Sequence, residues 1–175
     1  MKKLIISYSF SGNNALLAKN LAEKASADYT EIRDFRKRNV FTIVLDTVLN
    51  RTPKIHPLQT SFEDYDHIVF VAPIWFGKIA SPFRQVFRQC RDQLTRYSFI
   101  SVSGGANGTR PLVEKELKHL LGEAPLSLFQ SLISDLLPES QRGNQRVLNG
   151  YRLSSDEASY ISELALQKIT EITNN

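Results

Sequence analysis

Two hydrophobic periods alternate along the chain. Short apolar runs, the first at Leu4, Ile5 and Ile6, are followed by segments in which apolar positions return every three or four residues. Residues 2–7 read as a strand, and Ala15, Ala18, Leu21, Ala22 and Ala25 then trace one helical face. Residues 28–32, DYTEI, read as a second short strand. Between residues 35 and 49, Phe41, Val44, Leu45, Val48 and Leu49 share a helical face, expected to cover the core beside the sheet. Residues 67–73, HIVFVAP, form a continuous β-branched and aromatic run, the pattern of a strand buried on both faces.

Ser81 and Pro82 supply an N-cap and a first-turn proline for a helix whose apolar positions are Phe83, Val86, Phe87, Cys90 and Leu94. YSFISVSGG is a further strand ending in a glycine turn. Pro111 opens a helix with Leu112, Val113, Leu117, Leu120 and Leu121 before a terminating Gly122. PLSLFQSLI reads as a last strand. Ser154 and Glu157 form a capping box ahead of Ile161, Leu164, Leu166, Ile169 and Ile172. Strands alternating with helices predict an α/β fold, an open five-stranded parallel sheet covered on both faces, in one domain spanning residues 1–175. The polar stretch at residues 134–153 is expected to be a loop or a lid.

Composition narrows the chemistry. Cys90 is the only cysteine of 175 residues, so neither an internal disulfide, a zinc cluster nor a two-cysteine redox centre can form, and redox chemistry must come from a bound cofactor. No run approaches the roughly 18 apolar residues of a membrane span, and residues 4–6 are too brief for a signal-peptide core. The expectation is a cytoplasmic protein with no membrane partner. The formal charge is +4, densest at residues 33–38, RDFRKR; without a nucleic-acid-binding motif beside it, this run reads as a solvated basic face. Cys90 falls on the apolar face of its helix and reads as a packed small hydrophobe. His56, His67 and His119 read as surface or strand-end residues, and Lys78 as a solvated lysine.

Ligands of an open parallel sheet bind beyond the carboxyl ends of its strands, which singles out three loops. The first holds Ser9, Phe10, Ser11, Gly12, Asn13 and Asn14 just before a helix. Unpaired N–H groups there attract anions, and without lysine or arginine the loop suits a phosphomonoester better than a triphosphate. A plain capped turn is the alternative. The second loop, Pro73, Ile74, Trp75, Phe76 and Gly77, brings two large aromatics to a turn, where they either cover the core or flank a planar ring. The third, with Ser103, Gly104, Gly105 and Asn107, permits close backbone approach to a ligand. Together they offer places for a phosphate, a ring face and a ring edge.

YSFSGNN resembles the phosphate loop of flavodoxin-like proteins, whose pattern is Ser/Thr-x-Ser/Thr-Gly-x-Thr, and DYDHIVFVAPIWFGKIASPFRQVF is similar to their second flavin loop. The likeness continues through FISVSGGANG. It implies a flavodoxin-like three-layer α/β/α sandwich with strand order 2-1-3-4-5 and FMN at the switch point. Ser9, Ser11, Gly12, Asn13 and Asn14 would surround the phosphate, with Asn14 in the place of the family's threonine. Trp75, Phe76 and Gly77 would flank the isoalloxazine, with Ser103, Gly104, Gly105 and Asn107 at its edge. The third loop lacks the stacking aromatic of small electron carriers, and those carriers are acidic where this chain is basic. The resemblance therefore implies an FMN-dependent oxidoreductase, reduced by NAD(P)H or another donor and reoxidised by a quinone-like or other small acceptor, or by a protein redox partner. No catalytic acid, base or metal ligand stands out. The alternatives are a non-catalytic flavodoxin-like interaction module, an electron-transfer flavodoxin and, last, a nucleic-acid-associated protein; the helix near residues 38–50 is a candidate part of the acceptor pocket or a homodimer contact.

Overall fold

The computed structural model describes residues 1–105 and 108–173. Five strands, β1 (Lys3–Ser7), β2 (Asp28–Glu31), β3 (His67–Val71), β6 (Tyr97–Ser103) and β7 (Ser127–Leu132), form a parallel sheet. A hairpin of β4 (Ile74–Trp75) and β5 (Lys78–Ile79) follows β3, a feature absent from the sequence reading. The sheet order is β2-β1-β3-β6-β7, which is 2-1-3-4-5 once the hairpin is set aside. β3 and β6 are buried along their whole length, as their unbroken apolar runs require.

Alternate side chains of these strands supply two cores. Leu4, Ile6, Ile68, Phe70 and Phe99 face α3 (Phe83–Cys90) and α4 (Arg110–Leu121). Ile5, Val69, Val71, Ile100 and Val102 face α1 (Asn13–Ala25) and α7 (Ser155–Thr173). In the first core the Phe70 ring meets Phe83, Phe87 and Tyr97 at centroid distances of 5.7, 5.0 and 5.8 Å. Cys90 is fully buried there, and burial pushes its thiol up to about 12. The capping box of α7 is present: Ser154 N–H donates to Glu157 Oε2 at 2.7 Å, and Glu157 N–H to Ser154 Oγ at 3.2 Å.

Several expectations are corrected. α2 (Val40–Val48) buries Ile43 and Thr47, while Phe41, Val48 and Leu49, expected on its core face, point to solvent. Beside Ile43, its inward side carries the polar Asp46 and Thr47, which are tied down by ions. Arg38, whose side chain is 7% exposed, bridges Asp34 at 2.7 Å and Asp46 at 2.9 Å, so this member of the basic run is not solvated. Arg84 and Lys78 cover the end of α2, donating to Asp46 O at 3.4 Å, Arg51 O at 3.0 Å and Thr47 O at 3.3 Å, where cations satisfy the last carbonyls. Ser81 is not a side-chain cap; it is buried, and α3 begins at Phe83. Leu112, Leu164 and Ile172 are exposed rather than in the core. The 134–153 segment is built rather than open: α5 (Ile133–Leu136) and α6 (Gln145–Gly150) flank a short 3-10 turn, and Leu137, Leu148 and Leu153 join the α1/α7 core.

Two buried asparagines fasten the start of α1. Asn14 Nδ2 donates to Val102 O at 2.8 Å, and Asn14 Oδ1 accepts from Val102 N–H at 2.9 Å. Asn13 Nδ2 donates to Tyr151 O at 3.1 Å, and its Oδ1 accepts from Leu153 N–H at 3.0 Å. Replacing Asn14 by Ala strips partners from one buried donor and one buried acceptor, each costing about 1–3 kcal/mol. Urea unfolding of Asn14→Ala should show a loss of about 2–4 kcal/mol, and Asn14→Thr should recover little of it, since one hydroxyl cannot span both groups.

His67, at the start of β3, is fully buried; Nε2 pairs with Ser98 Oγ at 3.0 Å while Nδ1 has no protein partner. Burial, helped by Lys3 and Arg96, lowers its pKa from 6.5 to about 4. The native state keeps the ring neutral, whereas the unfolded chain takes up a proton once pH drops below its ordinary value. The associated stability is therefore intact above pH 6.5 and lost as pH falls toward 4. That loss should amount to about 3 kcal/mol at most, and urea midpoints at neutral and acid pH should show a shallower decline for His67→Gln.

Candidate functional site

The loops after β1, β3 and β6 meet at the carboxyl edge of the sheet around a cavity of about 530 Å³. Of the residues singled out from the sequence, Phe10, Ser11, Asn13, Asn14, residues 73–77 and residues 103–105 line it. Ser9 and Gly12 stand behind this surface, and Asn107 lies outside the described residues.

The first loop is shaped by its own hydroxyl. Ser9 Oγ accepts the Gly12 N–H at 3.0 Å, and Gly12, at φ 97°, turns the chain into α1. The first intrahelical bond runs from Leu16 N–H to Gly12 O at 2.9 Å. The N–H groups of Asn13, Asn14 and Ala15 thus start the helix without an intrahelical acceptor, the arrangement that holds an anion. The side-chain amides of Asn13 and Asn14 are committed to the fold, so each offers a ligand its backbone N–H.

The second loop divides its aromatics. Trp75 is wedged edge-to-face between Tyr8 at 5.8 Å and Phe10 at 6.5 Å, and Tyr8 is buried with its hydroxyl on Asp34 Oδ2 at 2.7 Å. Burial and this carboxylate raise the Tyr8 phenol above its ordinary range. Phe76 occupies the hairpin tip, 74% exposed, at φ 52°, followed by Gly77 at φ 75°. Two positive φ values make a two-residue turn of type I′, whose first position normally holds Asn, Asp or Gly; a phenylalanine there costs about 1 kcal/mol. The hairpin is held from behind, where Ile79 N–H donates to Glu116 Oε2 at 2.7 Å and Arg84 lies 3.7 Å from Glu116 Oε1. Burial raises the pKa of that carboxyl despite these partners. Lys78, read as solvated, donates to Asn50 Oδ1 at 2.7 Å.

In the third loop, Gln130 Nε2 donates to Ser103 Oγ and Thr109 Oγ1, both at 3.1 Å, bracing the turn. Gly105, at φ 134°, lies so close to α5 that a Cβ would sit 2.8 Å from Ser134 Oγ. Two further walls come from segments that the sequence offered as part of an acceptor pocket and as a lid, although their lining residues were not singled out: Val40, Ile43 and Val44 from α2, and Ile133, Gln145, Leu148 and Asn149 from the 133–149 region. Asn144, the N-cap of α6, was the one local signal for the second wall.

Among the described residues lining the cavity, no side chain is charged. Among the described residues no group of three or more His, Cys, Asp or Glu is placed to hold a metal ion, and no helix is long and apolar enough to cross a membrane. The walls offer backbone donors, hydroxyls, amides and apolar faces. They suit a ligand carrying its own reactive chemistry.

No curated protein matches the chain by sequence. Among solved structures, a flavoprotein from Lactobacillus acidophilus NCFM in complex with FMN is 19% identical with a TM-score of 0.65, over 74% of this chain and 92% of that one. The NMR structure of the apo-form of the flavoprotein from the same organism is 19% identical with a TM-score of 0.60, over 77% and 94%. A flavodoxin from the domain Archaea is 10% identical with a TM-score of 0.55, over 99% of both chains. These likenesses show the flavodoxin-like fold. The family model described as NADPH-dependent FMN reductase matches residues 1–128, which take in β1 to β6 and the three loops, and the chain belongs to that family.

Proposed function

We propose that the chain binds FMN in this cavity and works as an oxidoreductase, taking electrons from NADPH or another donor and passing them to a quinone-like or other small acceptor. The observation that carries the reading is the convergence of a helix N-terminus, an aromatic hairpin tip and a glycine-rich turn on one neutral cavity. Its volume, about 530 Å³, falls within the span typical of cofactor sites, and family membership supports the same ligand.

FMN, when bound, supplies reversible acceptance of two electrons as a hydride equivalent. The α1 N–H groups, with Ser11, would hold the phosphate, and Ser9 and Gly12 keep that loop in shape. Phe76 would cover one face of the ring, while Trp75, Phe10, Pro73 and Ile74 form an apolar wall that would exclude water. The backbone of residues 103–105 would meet the ring's polar edge, where N–H donors would favour the extra negative charge of the reduced form. No side chain of the cavity is assigned a proton-transfer step.

The purified protein should show a flavin spectrum, and anaerobic NADPH should bleach it. At about a hundredfold excess over Kd, FMN should stabilise the fold by about 2.7 kcal/mol, visible as a rise in melting temperature; an unchanged transition overturns the reading. Phe76→Asn separates strain from function. It should make the FMN-free protein about 1 kcal/mol more stable by relieving the left-handed turn, yet weaken FMN binding roughly tenfold by removing the ring contact.

A further inference from the structure

The charge of this protein is concentrated in one place. Residues 32–56 hold six Lys or Arg against two Asp, which is the whole excess of +4; the other 150 residues hold 16 of each sign. Both aspartates, Asp34 and Asp46, are taken up internally by Arg38. Arg33, Arg36, Lys37, Arg51 and Lys54 are exposed, so the segment shows solvent five cations and no free carboxylate.

The same segment carries an exposed apolar face, on which Phe35 packs against the His56 ring, with centroids 5.1 Å apart. Phe35, Val40, Phe41, Val48 and Leu49 are each more than half exposed, and Phe76 stands at the neighbouring hairpin tip. The bridge between Asp34 and Ile55 explains part of this: these two point inward, to Tyr8 and to the core, which turns Arg33, Phe35, Lys54 and His56 outward together. The ends of α2 are satisfied from within, by the Asn39–Thr42 capping box and by Arg84 and Lys78. Its outward face is carbon. The six side chains present on the order of 700 Å² of apolar surface, more than a typical monomer leaves open and close to one side of a standard interface.

On these grounds we infer that this face docks an acidic protein that carries single electrons, and that it seats the carrier at the mouth of the flavin cavity. The inference rests on the FMN reading. Charge complementarity selects the partner: a second copy would set the same five cations against each other, whereas an acidic surface is drawn to them. Position selects its task, because Val40 and Val44 line the cavity while Phe41 and Val48 face outward on the same helix. A carrier seated here abuts the cofactor. Full reduction of one FMN takes one electron from each of two reduced carriers, which leave oxidised, with protons drawn from water.

The test is stopped-flow reduction of the FMN-loaded protein by a dithionite-reduced acidic [2Fe–2S] ferredoxin, freed of excess dithionite, across a salt series. The second-order rate should fall at least tenfold between low and high salt. At low salt, the triple variant Arg36→Glu/Lys37→Glu/Lys54→Glu should lose at least tenfold, and Phe41→Ser/Val48→Ser should lose a similar amount. In both variants the melting temperature should stay at the wild-type value, and in Phe41→Ser/Val48→Ser, which leaves the rim charge unchanged, so should the FMN dissociation constant and the rate of reduction by free dithionite. A rate indifferent to salt and to the charge reversals overturns the inference. So does a dimer by analytical ultracentrifugation that Phe41→Ser/Val48→Ser dissolves, or sedimentation with phosphatidylglycerol vesicles that ferredoxin does not compete away. Absence of FMN binding in a direct titration would sink the proposed function by itself; calorimetric titration with oxidised ferredoxin then reads the docking face, where no salt-sensitive heat counts against it.

Discussion

Loops that follow parallel strands have no ladder of their own, so their mutual placement rests on side chains reaching between them. In this chain two adjacent asparagines do that work. Asn14 grips both backbone groups of Val102, one residue before the glycine-rich turn, and ties the phosphate-type loop to the loop after β6. Asn13 grips the backbone around Tyr151 and Leu153, which anchors the end of the segment whose Leu148 and Asn149 line the cavity. The amides that look like ligand donors are spent on holding three walls in register. The ligand is left with backbone donors already fixed in direction, which lowers the ordering cost of binding.

The second constraint is the burial of Arg38 and Arg84. A guanidinium withdrawn from water needs acceptors on several sides. Arg38 finds them in Asp34 and Asp46, and Arg84 in carbonyls near the end of α2, in Asn50 and in Glu116. Those contacts fix which side of α2 faces inward. An apolar helix held through its polar residues must turn much of its apolar surface outward: Phe41, Val48 and Leu49 face solvent, while Val40, Ile43 and Val44 beside them border the cavity.

The sheet, its order and the three loops were legible because each rests on a local property: an unbroken apolar run, a helical period, a glycine beside a strand end. The orientation of α2 was not. Period alone assigns Phe41, Val48 and Leu49 to the core, and only the partners of Asp46 and Thr47, brought from residues 38 and 78, reverse that assignment. Burial of Arg38 was hidden for the same reason, since its acceptors lie four and eight residues away and on no common helical face. The hairpin went unread because Phe76 is a poor residue for the turn it occupies. Gly105 could be read as a point of close approach, although Ser134, the group that approaches, comes from a segment taken for a loop.

Neutral walls and a charged rim divide the electrostatic work. Inside the cavity, with no ionised side chain in the lining, the charge of a reduced ring would be balanced by backbone dipoles whose directions the two asparagines set. Outside, the field of residues 32–56 extends about a Debye length into solvent and acts on whatever anion approaches. A nicotinamide dinucleotide and the proposed acidic carrier would meet the same five cations, so electrostatics would raise the arrival rate of both without separating them. Discrimination has to come from the uncharged part of the rim. A small nucleotide entering the cavity would leave Phe41, Val48 and Leu49 open, since none of the three lines it, whereas a protein is broad enough to bury all of them at once.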